Sequence, residues 1–338
     1  MKHLEIGGIK WFFRDDHFAE FIKGFLLDEY RKTAHFTFEH QNKRAFIKYF
    51  REEGVYGFVR NRLQPRGKKE FLLGRKLTSL CIPTPEPLGY GISEGGSYIV
   101  QELLEGTTLT DVFEKADDKS KLLIDLARFL KTLKVCHVRH NDLHLNNIIA
   151  KNGVLHLVDL HKTQIKKLFT LDDEVSNIAH AITMVYQGMD EDEKTLFFKE
   201  YGNEDIKLPV EAELKRLRHR WIDKKKKRAF NNTSIMTVEG DCVYIAGCKD
   251  MGRGVLVGTI KEDKKVRVER YSDHIRKTYR DKRRLKRAWK NHIALTYLRL
   301  DITPRAFFVR MPSHKERGFI AMEDLSERGE ELDRYLDR

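Results

Sequence analysis

Between His140 and Asn147 the chain reads H-N-D-L-H-L-N-N, which sets a carboxylate, Asp142, five residues ahead of a side-chain amide, Asn147. An apolar run, Val154 to Val158, then delivers a second carboxylate, Asp159, seventeen residues after Asp142. Taken singly these residues are ordinary: an aspartate in a polar loop is usually a turn residue, and Asp159 could cap a strand end. Together they match the needs of phosphoryl transfer, which asks a protein to hold reactants in line and to neutralise charge. Asp142 is placed to accept the proton of an acceptor hydroxyl. Asn147 and Asp159 offer hard oxygen donors, which suit Mg2+ rather than zinc. His140 falls where a residue is needed to hold the loop, and His144 could touch phosphate or fill space.

Nucleotide phosphates also need a cation, and Lys48 in AFIKYF sits on a predicted strand behind apolar residues. Such a lysine is held by a carboxylate from the following helix, for which Glu70 in KKEFLLGRKL is the candidate. Gln101, Glu102 and Leu103, at the end of the strand YIVQELL, are placed to meet the adenine. The chain has no G-x-G-x-x-G; Gly24 is the best candidate for a nucleotide-covering turn, ahead of Gly7 and Gly8.

The elements that must position these groups follow from periodicity. His35 to Glu39 and Ala45 to Phe50 read as a β-hairpin around QNKR. A basic loop follows, then a helix over Lys68 to Leu80, which PTPEPLGYG (Pro83 to Gly91) must end because proline cannot continue it. Tyr98 to Leu104 is a strand. Leu122, Leu123, Leu126, Phe129, Leu130 and Leu133 recur at helical spacing, and residues beyond about Leu171 are helical again. A β-rich lobe (about 1–104) thus precedes an α-rich one (about 105–232). From about Thr237 the β patterning returns in VYIAG, GVLVGTI and VRVERY, followed by a helix over Leu285 to Leu298, then DITPRAFF and GFIAMEDL. That order echoes the first lobe, so 233–338 reads as an internal repeat, a second small lobe. In it Glu269 or Arg270 would stand where the strand lysine belongs, and Ala288 or Trp289 near the helix carboxylate.

Composition narrows the setting. The 338 residues, 41% hydrophobic, suffice for one or two domains with cores. No apolar run approaches the roughly 20 residues of a bilayer span. Charge interrupts the N-terminus before a signal-peptide core could form, so a cytosolic protein is expected. The four cysteines (Cys81, Cys136, Cys242, Cys248) are scattered and read as reduced thiols, not metal ligands. The net charge of +13 fits an anionic partner. Two runs, Leu214 to Arg228 and Ile275 to Lys290, each hold nine Lys or Arg; their plain reading is a solvated helix face. Only Trp221 and Trp289 interleave with them as large indoles, thin support for nucleic acid.

HNDLHLNNII followed by LVDLHKTQI resembles the lipopolysaccharide core heptose kinase family, within the wider group of Kdo/heptose lipopolysaccharide kinases. The distinctive feature is D-L-H-K/R-x-Q, here Asp159 to Gln164, where eukaryotic-type kinases have D-F-G. FIKYFREEGVYGFVRNRL and EFLLGRKLTSLCIPTPEPLGYG are similar to the family's route from lysine strand to helix. The resemblance covers roughly residues 20 to 230. It implies an α+β, bilobal protein-kinase-like fold, with 1–232 as the kinase-like domain and 233–338 as a degenerate second N-lobe. It implies Asp142 as base, Asn147 and Asp159 as Mg2+ ligands, and Lys48 with Glu70 on the phosphates of ATP. The implied acceptor is a sugar hydroxyl of the lipopolysaccharide inner core, an anionic glycolipid met at the inner face of the inner membrane. Two other readings share the residues: a kinase of a protein or small soluble molecule, and a kinase-like scaffold with a basic, anion-binding surface.

Overall fold

The computed structural model describes residues 2–13, 22, 35–40, 43–298, 304–314 and 316–325, a mixed α and β chain in two units, Met1–Lys215 and Arg216–Arg338. In the first unit β1 (Lys2–Ile6), β2 (Ile9–Phe13), β3 (His35–His40), β4 (Lys43–Arg51), β5 (Pro87–Ser93) and β6 (Gly96–Glu102) form one antiparallel sheet, in the order β1-β2-β5-β6-β4-β3. Helices α1 (Gly54–Leu63) and α2 (Arg66–Ser79) lie in sequence between β4 and β5.

Alternation decides which way Lys48 points, because successive strand side chains face opposite sides. Ala45 and Ile47 are buried with Trp11, Phe13 and Val100 on one face of the sheet. Phe50, two residues beyond Lys48, is buried with Phe71 of α2 on the other. Lys48 therefore shares the face that α2 covers. On α2 the buried positions are Gly67, Glu70, Phe71, Gly74 and Leu77, the three- and four-residue spacing of one helix face. Gly67 sets how closely the helix lies. A β-carbon there would meet the Tyr98 carbonyl oxygen at 2.2 Å, so only glycine permits the approach that brings Glu70 down to the sheet.

Between β4 and α2, where composition predicts a basic loop, the chain forms α1 instead. The helix is hidden to periodicity because its inward residues are Gly57 and Asn61 while its apolar residues face solvent. Gly24, the proposed nucleotide-covering turn, lies outside the described residues; Gly7 and Gly8 form the turn between β1 and β2, both with positive φ.

Beyond β6 come β7 (Thr107–Thr108), α3 (Leu109–Lys115) and α4 (Ser120–Val135), whose Leu123, Leu126, Phe129, Leu130 and Leu133 are buried as the spacing predicts. Then β8 (Val138–His140), β9 (Ile148–Lys151), β10 (Val154–Leu157) and β11 (Thr163–Ile165) build two small sheets, β10-β9-β7 and β11-β8. Helices α5 (Leu171–Ile182), α6 (Glu191–Tyr201) and α7 (Lys207–Lys227) follow; the last crosses from one unit's residues into the other's. No helix among the described residues is long and apolar enough to cross a membrane.

The second unit comprises β12 (Met236–Glu239), β13 (Cys242–Ile245), β14 (Leu256–Glu262), β15 (Val266–Tyr271), β16 (Ile275–Tyr279), α8 (Lys282–Tyr297), β17 (Ala306–Arg310) and β18 (Phe319–Met322). Trp289 of α8 is buried at its centre and donates its indole N–H to the Ala229 carbonyl over 2.6 Å. The sheet order, β12-β13-β17-β18-β16-β15-β14, repeats that of the first unit with one strand added. Register agrees as well: Lys48 pairs with Ile99 of β6, and Lys277 of β16 pairs with Ile320 of β18. At the ends of those strands the amides of Glu102 and Glu323 each donate to the residue before the preceding strand, Glu86 and Arg305, at 2.8 Å. The counterpart of the lysine strand is thus β16, carrying Lys277, and not β15 with Glu269 and Arg270. Its basic residues made IRKTY look like the start of the next helix. Ala288 and Trp289 carry no carboxylate for that lysine; on α8 its charge is felt by His292, whose imidazole is pushed down by burial and by Lys277.

Gly67→Ala should destabilise the chain by about 2 kcal/mol or more, the range for overpacking a closed contact, measured as a shift of the urea midpoint. An unchanged midpoint would mean that α2 has room the geometry denies it.

Candidate active site

Three elements converge on Glu70. Its carboxylate lies 3.6 Å from the Lys48 ammonium, and its other oxygen accepts from the Leu160 amide over 3.3 Å. Burial raises the Glu70 carboxyl above its usual range, and the Lys48 charge opposes that rise. Lys48 also contacts Asp159, whose Oδ1 lies 2.7 Å from His161 Nδ1. The sequence thus brings together Lys48, Glu70 and Asp159 from a strand, a helix and a post-strand turn, and adds His161, which residue spacing had left without a role.

Asp159 is in the left-handed region, φ 57° and ψ 53°, sparsely used by non-glycine residues and common at functional sites. The backbone turns sharply there because the residues on both sides are tied. Val158 donates to the Asn147 carbonyl over 3.0 Å and Leu157 to that of Pro83 over 2.9 Å; Leu160 is held by Glu70. Burial alone would raise the Asp159 carboxyl. Hydrogen bonds from His161 and Lys48 outweigh it and hold the group far below the carboxylate range, so it is ionised.

The polar loop is fixed by the turn that follows Asp159. His140 pairs with Thr163 across β8 and β11. Asn141 donates twice to the Lys162 carbonyl, from its amide at 3.2 Å and its side chain at 2.9 Å. Lys162 forms an ion pair with Asp142. Burial would raise the Asp142 carboxyl, but the Lys162 bond and charge prevail and lower it. Lys162 is therefore a site residue that spacing alone did not single out. Its signal was its place in Asp159-Leu160-His161-Lys162, the turn that must pass beside the loop. Asn147 donates its side-chain N–H to the Asp142 carbonyl over 2.9 Å, which turns its Oδ1 away and leaves that oxygen as the available donor. The donor set of Asn147 Oδ1 and an ionised Asp159 fits a hard divalent cation. Glu70, Asp159 and His161 also hold ligand atoms within 4.8 Å of one another. Lys48 contacts both carboxylates of that trio, so its one positive charge already offsets part of theirs.

His140 is fully buried and holds the loop rather than meeting a reactant. Its Nδ1 accepts from the Asp142 amide over 3.2 Å, and its own amide donates to Asn177 of α5 over 3.0 Å. Desolvation pushes its imidazole down to about 4. The adenine candidates are more committed than the sequence suggested. The Glu102 amide donates to Glu86 and the Leu103 amide to Arg44, and the Glu102 side chain meets Lys151 at 3.3 Å. Gln101 lies opposite Phe46 in the β4–β6 ladder. Any adenine contact from Glu102 or Leu103 must therefore use carbonyls or side chains.

The His140 shift carries a sign that can be measured. Below about pH 6.5 the unfolded chain takes up a proton that the folded chain refuses until about pH 4. Stability from this group is complete above that window and falls as pH drops through it, by on the order of 3 kcal/mol. His140→Gln should flatten the fall in unfolding free energy between those pH values relative to wild type; parallel curves would show that His140 titrates normally.

Comparison with known proteins places one stretch of the chain. The EKC/KEOPS complex subunit BUD32 of Encephalitozoon cuniculi is 36% identical over 84 residues, 25% of this chain and 41% of that protein, so the chain spans under half of that relative's length. Among solved structures, WaaP in complex with acyl carrier protein aligns at 18% identity with a TM-score of 0.46, over 63% of this chain and 98% of that one. The gentamicin complex of APH(2")-IIa aligns at 14% identity with a TM-score of 0.43, over 64% and 91%. Residues 23–180, which hold Lys48, Glu70, Asp142, Asn147 and Asp159, match the lipopolysaccharide kinase (Kdo/WaaP) family.

Proposed function

We propose that the chain is an ATP-dependent phosphotransferase whose acceptor is a sugar hydroxyl, of heptose or Kdo, in the lipopolysaccharide inner core. The observation that carries this reading is the convergence on Glu70, which ties the strand lysine Lys48 to the turn bearing Asp159, while the loop bearing Asp142 is bonded into that same turn. The roles then follow from the chemistry of phosphoryl transfer. Lys48 neutralises the nucleotide phosphates and Glu70 keeps it aimed. Asn147 and Asp159 would hold Mg2+, which supplies further neutralisation of phosphate charge. Asp142 orients the acceptor hydroxyl and takes its proton as the oxygen bonds to the γ-phosphorus. The bond to the β–γ bridging oxygen breaks and ADP leaves. Lys162, beside Asp142, faces the charge of the transferring group.

The family match of residues 23–180 supports phosphotransfer to this acceptor class. The net charge of +13 and the two runs of nine basic residues suit an anionic glycolipid. On this reading the protein works in the cytoplasm, peripherally at the inner face of the inner membrane. The catalytic groups alone do not name the acceptor, so a protein or small soluble molecule is the competing substrate. That Lys48, Asp142, Asn147 and Asp159 are all present argues against an inert scaffold.

Asp142→Asn should lower turnover by about a hundredfold or more, the usual worth of a positioned base, while ATP affinity stays within about twofold. Lys162→Ala should also slow turnover, and should move its acid limb up toward about pH 4, the ordinary aspartate value, because Asp142 loses the partner that depresses it. A pH profile identical to wild type would remove Lys162 from the site. The acceptor is tested by ATP consumption with inner-core fragments set beside a generic protein and free sugars. Phosphate on the glycolipid fragment alone is the expected result, and phosphate on the protein alone would overturn the acceptor assignment.

A further inference from the structure

Helix α1 is built with its polarity reversed. Its inner face is polar or bare: Asn61 donates to the Ser93 carbonyl over 2.8 Å, and a β-carbon on Gly57 would lie only 3.0 Å from the Glu52 backbone. Glu52, buried just ahead of the helix, pairs with Arg60 of the helix and with Arg66 beyond it at 3.3 Å. Its amide also donates to the Gly95 carbonyl over 3.0 Å. These polar bonds hold the helix rigidly without using its apolar residues. Those residues face water: Val55 and Tyr56 are 84% exposed and Leu63 80%, with Phe58 at 54% and Val59 at 46%. At 100° per residue the five occupy an arc of about 160°, interrupted only by Arg62. A surface helix ordinarily turns such an arc to the core. A contiguous exposed one marks an interaction site.

We infer that α1 is a lipid-surface docking element, which lays Val55, Tyr56, Phe58, Val59 and Leu63 into the interface of an anionic bilayer. Charge selects this occupant. From Arg51 to Lys69 there are six Arg or Lys and two Glu, and both glutamates are engaged, Glu52 as above and Glu53 with Arg51 at 3.0 Å. Among the described residues Arg62, inside the apolar arc, and Lys68 and Lys69, in the first turn of the next helix, have no carboxylate partner. Apolar residues edged by cations suit anionic headgroups, whereas two copies meeting through this face would bring like charges together. Tyr56 offers the apolar body and polar tip favoured at a membrane interface.

The inference deepens the proposed lipid-linked acceptor and rests on it for its purpose, yet vesicle binding needs neither ATP nor acceptor. Loss of one activity with the other intact therefore shows which reading failed. The test is co-sedimentation of the full chain with vesicles of phosphatidylglycerol and phosphatidylethanolamine, beside pure phosphatidylcholine. Wild type should bind the anionic vesicles, and part of that binding should survive about 0.5 M salt, where surface charge is screened within a few ångströms. The triple variant Val55→Ser, Tyr56→Ser, Leu63→Ser should bind at least tenfold more weakly with an unchanged melting temperature and ATP affinity. Three outcomes overturn the inference. One is unchanged binding by the variant. Another is wild-type binding that salt abolishes completely, which would place it on the basic runs. The third is a wild-type dimer, seen by light scattering, that the variant dissolves while vesicles bind neither protein.

Discussion

The site hangs on one buried carboxylate. Glu70 is almost wholly excluded from water, and an ion in that position is tolerated only when it is paired and hydrogen-bonded. Lys48 and the Leu160 amide are those partners. Removing one member of such a pair leaves an uncompensated buried charge, at a cost of about 3–5 kcal/mol. The energetic demand is therefore also a geometric one: α2, β4 and the turn after Asp159 are stable together or not at all. Gly67 and the packing of Phe71 against Phe50, Tyr90 and Ile99 bring the helix close enough for the demand to be met.

A second, separate lock holds the loop of Asp142. Its members are polar groups whose bonds form a chain. Asn177 of α5 receives the His140 amide and donates to the Val138 carbonyl over 2.8 Å. Asp173, buried in the first turn of α5, takes Arg139 at 2.5 Å and Lys166 at 2.7 Å while capping the helix with Thr170. Asn141 closes the chain on Lys162. A buried polar network that is nearly satisfied rigidifies what it connects. Here it fixes the distance between the loop of Asp142 and the turn of Asp159. The two locks meet at residues 159–162, so that short turn receives constraints from both sides and adopts a backbone conformation that neither would impose alone.

What was legible in the sequence was chemistry with a fixed spacing. Lys48 could be oriented because strand alternation is strict, and Glu70 because helix faces repeat at three and four residues. The helix of Leu123 to Leu133 and the Asp142–Asn147 loop were equally readable, since each states its own period or its own chemistry. Two of the misses share one cause: pattern reading assumes that apolar means inward. Helix α1 violates the assumption by pinning Asn61 and Gly57 inward. Strand β16 violates it differently, since Arg276 and Lys277 made it look like the head of α8. Arg276 in fact lies against the rings of Tyr271 and Phe319, 4.1 and 4.2 Å from their centroids, so its charge is carried on an aromatic face within the sheet. Lys162 was missed because its importance comes from a partner twenty residues away, a fact of topology that no local window contains.

The two lysine strands separate fold from function within one chain. Lys48 and Lys277 occupy the same register in sheets of the same strand order, and each lies over the aromatic ring two residues on, Phe50 at 4.8 Å and Tyr279 at 5.8 Å. Their partners differ. The first meets a carboxylate that is itself tied to Asp159. Helix α8 offers the second no carboxylate, and the group its charge reaches there is His292, an imidazole whose charged form is disfavoured by burial and by the lysine. A neutral ring cannot balance an ammonium or hold it against an anionic ligand by charge. The frame that presents a lysine is thus retained twice, whereas a carboxylate opposite the lysine stands in the first unit, where Glu70 links it to the turn of Asp159. Fold sets where the lysine points; the carboxylate opposite decides what it can do.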